Sequence, residues 1–242
     1  MSDLLLLCPR NLDDPWVRGI PDRVSRLHGT PKAQDLRSKR AVLEAFPEGD
    51  EKDRILLSLA QNEKWSGPVA SLYTLQSVTS LATKSGLGAR LIGFQPSPGG
   101  GENPGVELLR GEETSQETAR DIREVFEDLG FRVFLCRDQA GGILPRVLVS
   151  IINEAAYMAW AGIAPPEKID TMMRLGANFP MGPFQWADHI GLDRVLGFLE
   201  CLSRELGSHY QPCPWIRRKV EAGKLGIKTG EGFYRYEEGG GR

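Results

Sequence analysis

The residues able to ligate a metal, or to pair as nucleophile and base, are few and dispersed. The four cysteines are Cys8, Cys136, Cys201 and Cys213, and the three histidines are His28, His189 and His209. They are scattered without metal-ligand spacing, so the cysteines read as reduced, buried or half-buried thiols. A phosphate cradle is the next chemistry to seek. Leu4-Leu5-Leu6-Leu7-Cys8 has the length and composition of a parallel strand covered on both faces. In a dinucleotide-binding fold such a strand runs into G-x-G-x-x-G, whose glycines let the backbone approach a pyrophosphate at a helix N-terminus. Here it runs into Pro9-Arg10-Asn11-Leu12-Asp13-Asp14-Pro15. That segment has no glycine, and it places two carboxylates where a phosphate needs N–H donors. Asp13-Asp14-Pro15 reads more simply as the cap of a following helix. Gly99-Gly100-Gly101 lacks the Lys-Ser/Thr that follows in a P-loop, and reads as a flexible insertion.

The elements that must position any site form an α/β pattern followed by an all-helical one. After the first strand, residues 19–40 are polar and broken by Gly19, Pro21, Gly29 and Pro31; they read as connection, with one short strand or helical turn around residues 22–27. A strand and its exit follow over 40–48, a helix over 51–61, a strand and helix over 68–82 and a strand over 90–96. An amphipathic helix over 115–129, capped by Thr114 or Ser115, leads to a strand over 131–136. Asp138-Gln139-Ala140-Gly141-Gly142 breaks the pattern, so residues 1–138 read as one reduced Rossmann-like α/β domain. Residues 139–236 read as an all-α domain and 237–242 as a flexible tail. The first helix of that domain runs to Trp160 and is apolar on most sides, as a buried spine would be. The Gly- and Pro-rich turn Gly176-Ala177-Asn178-Phe179-Pro180-Met181-Gly182-Pro183-Phe184-Gln185-Trp186-Ala187-Asp188 joins two helical patterns. It is expected to bury Phe179, Met181, Phe184 and Trp186 together.

Composition bounds the function. A formal net charge of −2 over 242 residues argues against a dedicated nucleic-acid binder, which needs a basic face. No apolar run approaches the roughly 20 residues of a membrane span. The stretch from Leu4 to Cys8 is too short, and lacks the basic flank, for a signal peptide, so a cytoplasmic protein is expected.

The glycine- and proline-rich turn resembles the "G-x-x-x-P-M-G-P-F" signature of the L-3-hydroxyacyl-CoA dehydrogenase (3-hydroxybutyryl-CoA dehydrogenase) family. Asn153-Glu154-Ala155, Ile169-Asp170, Gly191-Leu192-Asp193 and Leu225-Gly226-Ile227-Lys228-Thr229-Gly230-Glu231-Gly232-Phe233-Tyr234 match further family motifs in order. The resemblance implies a helical C-terminal domain that makes a homodimer through residues 143–236. It also implies an NAD cofactor and an acyl-CoA-type small-molecule substrate. It places the family's active-site positions on this chain one by one. The substrate-contacting Ser falls on Thr74, the carboxylate on Glu107, the catalytic His on Ile92 and the oxygen-holding Asn on Pro145. Isoleucine cannot take the hydroxyl proton as hydride leaves. A Glu107 without its histidine reads as a solvated strand-end carboxylate or an arginine partner. The stretch before Arg40 is shorter than the resemblance implies. The part missing would include the second strand, whose terminal acid holds the adenosine ribose; Asp22 and Asp35 are candidates that read better as surface charges. The expected function is therefore a 3-hydroxyacyl-CoA dehydrogenase-like protein of acyl-CoA metabolism that lacks the family's hydride transfer and serves ligand binding or assembly. One alternative is an active NAD-dependent oxidoreductase using Thr74, Glu107 and Tyr73. Another is a structural partner of an intact paralogue.

Overall fold

The structure, a computed structural model, describes residues 3–9, 20–21, 24–73, 75–97 and 104–236. Thr74, Asp13-Asp14, Asp22, Gly99-Gly100-Gly101 and the 237–242 tail lie outside the described residues. The chain divides into two compact units, Met1–Gly142 and Ile143–Arg242.

The first unit is built on a seven-stranded sheet. Its elements in chain order are β1 (Leu4–Leu7), β2 (Ser25–Leu27), α1 (Ala33–Leu36), β3 (Ala41–Glu44), α2 (Asp50–Ala60), β4 (Val69–Leu72), α3 (Val78–Ser85), β5 (Leu91–Pro96), β6 (Gly105–Arg110), α4 (Gln116–Asp128) and β7 (Arg132–Arg137). The strand order is β2-β1-β3-β4-β5-β6-β7. The first five strands of that order run parallel, β6 turns antiparallel to β5, and β7 follows β6. All four residues of β1 are buried, which is why its leucines show no alternation. The order reverses between β1 and β3, and ligands of open α/β sheets sit at the carboxyl ends of the strands beside such a reversal.

The short strand or helical turn read around residues 22–27 is a strand, β2, at the sheet edge where the resemblance implied a loss. β2 pairs in parallel with β1, Leu5 opposite Ser25 and Leu7 opposite Leu27. Its three residues are too few to show a period-two pattern, so a polar stretch hides it. The residue that follows it is His28, not an acid.

α4 is fixed at its start by Ser115, whose Oγ accepts the Thr118 N–H at 3.0 Å. Its buried face (Ala119, Ile122, Val125, Phe126) covers one side of the sheet, where Phe126 meets Phe94 at 5.3 Å between ring centres.

The second unit is helical: α5 (Leu144–Trp160), α6 (Pro166–Ala177), α7 (Pro183–Ile190), α8 (Leu192–Leu206) and α9 (Pro214–Glu221). Proline stands in the first turn of α5, α6, α7 and α9, where its missing N–H costs nothing. α5 is less of a spine than its composition suggests. Leu148, Val149, Ile152, Ala155 and Ala156 are buried, but Val147 is 54% and Trp160 45% exposed. The turn after α6 also differs from expectation. Of its four large apolar residues only Phe184 is fully buried, packed edge-on to Phe233 and Trp215 from far along the chain. Among the described residues no helix is long and apolar enough to cross a membrane.

Candidate functional site

Strand partners share a face, and faces alternate along each strand. Glu44 pairs with Ser71, Ser71 with Gly93, and Gln95 with Glu107. Glu44, Ser71, Gln95 and Glu107 therefore form a polar row across one face of the sheet. All four are buried, at 0%, 2%, 2% and 6% exposure. The other face carries Leu43, Ala70, Leu72, Ile92, Phe94, Val106 and Leu108, packed with Ile122 and Phe126 in the apolar core.

One end of the row is a closed ion pair. Lys52 Nζ donates to Glu44 Oε2 at 2.6 Å, with both side chains out of solvent. The remaining ammonium protons go to the carbonyls of Leu72 at 3.1 Å and Phe46 at 3.3 Å. Ser71 Oγ donates to Glu44 Oε2 at 2.6 Å, and the Phe46 N–H donates to Oε1. Every donor of Lys52 is matched, so this cluster pins the exits of β3 and β4 and has no donor left for a ligand.

The other end holds Gln95 and Glu107. Among the described residues Gln95 Oε1 is buried with no hydrogen-bond partner, and Nε2 donates to the Pro96 carbonyl at 3.4 Å. An unsatisfied buried acceptor costs about 1–3 kcal/mol. Glu107 lies in mid-strand, buried, and is not a solvated strand-end carboxylate. It is pressed against backbone: a Cβ placed on Gly142 would come within 2.6 Å of its Oε2.

Ile92 is on the wrong face. It sits with Phe94 in the core against α4, so whatever occupies that position does not meet Glu107. The residue across from Glu107 is Gln95. Pro145 stands buried in the first turn of α5, where a residue without an N–H is at home. The Tyr73 hydroxyl accepts the Gly141 N–H at 3.0 Å and contacts the Gln139 carbonyl at 3.4 Å, fastening the exit of β4 to the segment before α5. Asp35, one ribose candidate, accepts the Lys32 N–H at 2.7 Å in a local turn.

A cavity of about 620 Å³ is lined by Thr79, Arg110, Glu112, Leu135, Cys136, Arg137, Asp138 and Gln139. Its chemistry is subdued. Burial, with the Glu107 and Asp138 carboxylates nearby, pushes the Cys136 thiol up to about 12, so it is no nucleophile. Asp138 is committed to the start of α3, accepting the N–H groups of Val78 at 3.0 Å and Thr79 at 2.8 Å. Among the described residues no three His, Cys, Asp or Glu side chains gather to hold a metal.

The ends of β1 and β2 do not suit an NAD held in the family manner. Cys8-Pro9 stands where a glycine turn is needed. At the end of β2 the His28 ring meets the Cys8 carbonyl through Nδ1 at 3.0 Å, in the place of a ribose-binding carboxylate.

Residues 141–236 match the family described as "3-hydroxyacyl-CoA dehydrogenase, C-terminal domain". The chain is 41% identical over 218 residues to a probable 3-hydroxybutyryl-CoA dehydrogenase of Deinococcus radiodurans, covering 88% of this chain and 77% of that one. The chain belongs to the 3-hydroxyacyl-CoA dehydrogenase family. A 3-hydroxybutyryl-CoA dehydrogenase of Bradyrhizobium diazoefficiens is 38% identical over 88% of this chain and 73% of its own. The crystal structure of (S)-3-hydroxybutyryl-CoA dehydrogenase from Ralstonia eutropha superposes with a TM-score of 0.81 at 26% identity, over 98% of this chain and all of that one.

The motifs that carry membership of the 3-hydroxyacyl-CoA dehydrogenase family have a packing reason here. Asp170, buried, accepts the N–H groups of Phe184 at 2.9 Å and Gln185 at 3.1 Å and the Tyr234 hydroxyl at 2.8 Å. It so caps α7 from α6. Asp188 accepts the N–H groups of Phe233 at 2.7 Å and Tyr234 at 2.8 Å and the Tyr236 hydroxyl at 3.0 Å. A Cβ on Gly182 would stand 2.2 Å from Asp170 Cγ, and one on Gly232 would stand 2.0 Å from Asp188 Oδ1. These glycines admit the carboxylates.

Sequence reasoning marked Glu107 but not Glu44, Ser71 or Gln95 of this family member's polar row, nor Lys52, which meets Glu44 from α2. Lys52 shares the helical spacing of Ile55, Leu56 and Leu59, a lysine on the buried stripe of α2. Gln95 shares the strand face of Gly93, opposite to Ile92, and period-two parity alone separates them.

Proposed function

We propose that this 3-hydroxyacyl-CoA dehydrogenase-like protein binds an acyl-CoA-type ester through the polar row of its first unit and does not transfer hydride by the family's mechanism. One observation carries the reading: the residue across from Glu107 is Gln95, whose amide takes up no proton in the physiological range. The first unit has a single histidine, and it follows β2 at the opposite edge of the sheet. General-base catalysis contributes roughly 10²–10⁴-fold, so its loss leaves binding as the main activity. The names of the relatives, 3-hydroxybutyryl-CoA dehydrogenases, support the choice of ester. Thr74, by resemblance, and Glu107 complete the ligand contacts.

The test is calorimetric titration with (S)-3-hydroxybutyryl-CoA and acetoacetyl-CoA, with NADH formation followed in parallel. Micromolar ester binding without turnover is the expected result. A second reading, an active NAD-dependent oxidoreductase, is favoured by the 41% identity to the Deinococcus enzyme, and measurable turnover would establish it in place of the first.

We also propose that two copies associate through residues 143–236. Supporting this, Leu175 is 79%, Ile163 68% and Met172 66% exposed on the second unit, more apolar surface than scattered single residues need.

A further inference from the structure

We propose that the cavity at the ends of β6 and β7 is a second ligand site, one that takes an organic phosphate monoester between Arg110 and Arg137. The two arginines are the last residues of these adjacent parallel strands and are register partners, so they leave the sheet on the same face. Like charges set opposite one another on neighbouring strands are destabilising. Among the described residues neither guanidinium makes an ion pair, and that of Arg137 donates no hydrogen bond. Arg110 is half-buried; its Nη2 donates to the Thr114 carbonyl at 3.3 Å, while its Nε is shut from solvent with no acceptor. The chain thus holds two positive charges side by side, one of them in a fixed plane, and balances neither. An oxyanion seated between them removes the repulsion and accepts from both forks.

The cavity's size and walls give the ligand its body. At about 620 Å³ it is larger than a bare phosphate needs, and Leu135, on the strand face of Arg137, supplies an apolar wall. The acids in the lining do not cancel the arginines. Asp138 is taken up by the start of α3, where it accepts the Val78 and Thr79 N–H groups and the Thr79 hydroxyl at 2.8 to 3.0 Å. Glu112 is exposed and stands as a like charge against an incoming anion. The site lies away from the ester-binding row. Because β6 runs antiparallel to β5, Arg110 falls one step beyond the Gly93–Leu109 pair, toward the start of β5. Thr114, which takes the Arg110 bond, donates its hydroxyl to the carbonyl of Leu91, the first residue of β5, at 2.7 Å. Ligands of open α/β sheets sit at the opposite, carboxyl ends of the parallel strands. The proposal therefore does not depend on the ester reading. It concerns binding, with no bond made or broken.

The experiment titrates the full-length protein with phenyl phosphate by calorimetry in a low-salt, phosphate-free buffer, in the native sequence, in Arg137→Gln and in Glu112→Gln. The native protein should bind the ester, and inorganic phosphate should compete with it more weakly. Arg137→Gln should weaken binding about 10- to 100-fold, the range of one charge-assisted hydrogen bond. Glu112→Gln should tighten it, because a like charge is gone. Thermal unfolding gives a second reading. Without phosphate, Arg137→Gln should melt at or above the native protein, since the repulsion is relieved; with phenyl phosphate the native protein alone should gain. No binding by the native protein, binding that survives Arg137→Gln, or binding that Glu112→Gln fails to tighten overturns the proposal. So does an Arg137→Gln protein that melts below the native one without phosphate, which would show that the pair carries no unrelieved charge. Acetoacetyl-CoA carries phosphates of its own. Loss of its binding in Arg137→Gln would make the cavity part of the ester site and overturn the claim of a second one.

Discussion

Asp188 shows how a single side chain can govern a whole motif. Burial raises its carboxyl above the ordinary value, and the N–H groups of Tyr234 and Phe233 and the Tyr236 hydroxyl only partly offset this. The folded chain therefore binds this proton more tightly than the unfolded one. The contribution of Asp188 to stability is full below the unfolded value of about 4 and is lost as pH rises through the folded value. Asp188→Asn turns an amide N–H toward a backbone N–H and should cost about 1–3 kcal/mol in urea unfolding. That deficit should grow as the pH is lowered toward 4; a deficit that shrinks would contradict the sign. Glycines give a matched contrast. Gly232→Ala, with its methyl group driven into Asp188, should destabilise by roughly 1–3 kcal/mol. Gly176→Ala in α6, where nothing lies within 4 Å, should stabilise by about 0.5–1 kcal/mol. Thermal unfolding of both variants checks the pair.

At the scale of elements, α2 is held by its one buried cation. Lys52→Met leaves Glu44 buried without its partner and should cost about 3–5 kcal/mol, whereas Lys52→Met with Glu44→Gln should recover much of the loss. A double variant no more stable than the single one would show that the charges do not matter. Most elements were legible in the sequence, since long periodic segments such as α4 and α8 announce themselves. The failures share a cause. β2 is three residues long and mostly polar, so the sequence left it open between a short strand and a helical turn. Ile92 matched a motif by order along the chain, yet one step of parity put it on the other side of the sheet. The exposed side of α5 was hidden because apolar composition does not reveal which face a helix buries.

At the scale of the molecule, the two units carry different burdens. The ligand chemistry proposed here belongs to the sheet of the first, and the family motifs to the helices of the second. If two copies pair through the second, then Leu175→Glu with Met172→Glu should move the protein from dimer to monomer in light scattering. An unchanged mass would place the contact elsewhere or show that none exists.

The two buried aspartates bear on the order in which the second unit can be completed during synthesis. Asp170 and Asp188 belong to earlier helices, but the hydroxyl that reaches Asp170 comes from Tyr234, and the donors to Asp188 come from Phe233, Tyr234 and Tyr236. Until those residues are made, Asp188 lacks the donors of Phe233, Tyr234 and Tyr236, Asp170 lacks the Tyr234 hydroxyl, and the Phe184 ring lacks one wall. The helical unit should therefore close only when its last strip of chain arrives. A chain truncated before residue 233 should remain protease-sensitive although all of α9 is present, and the full chain should not.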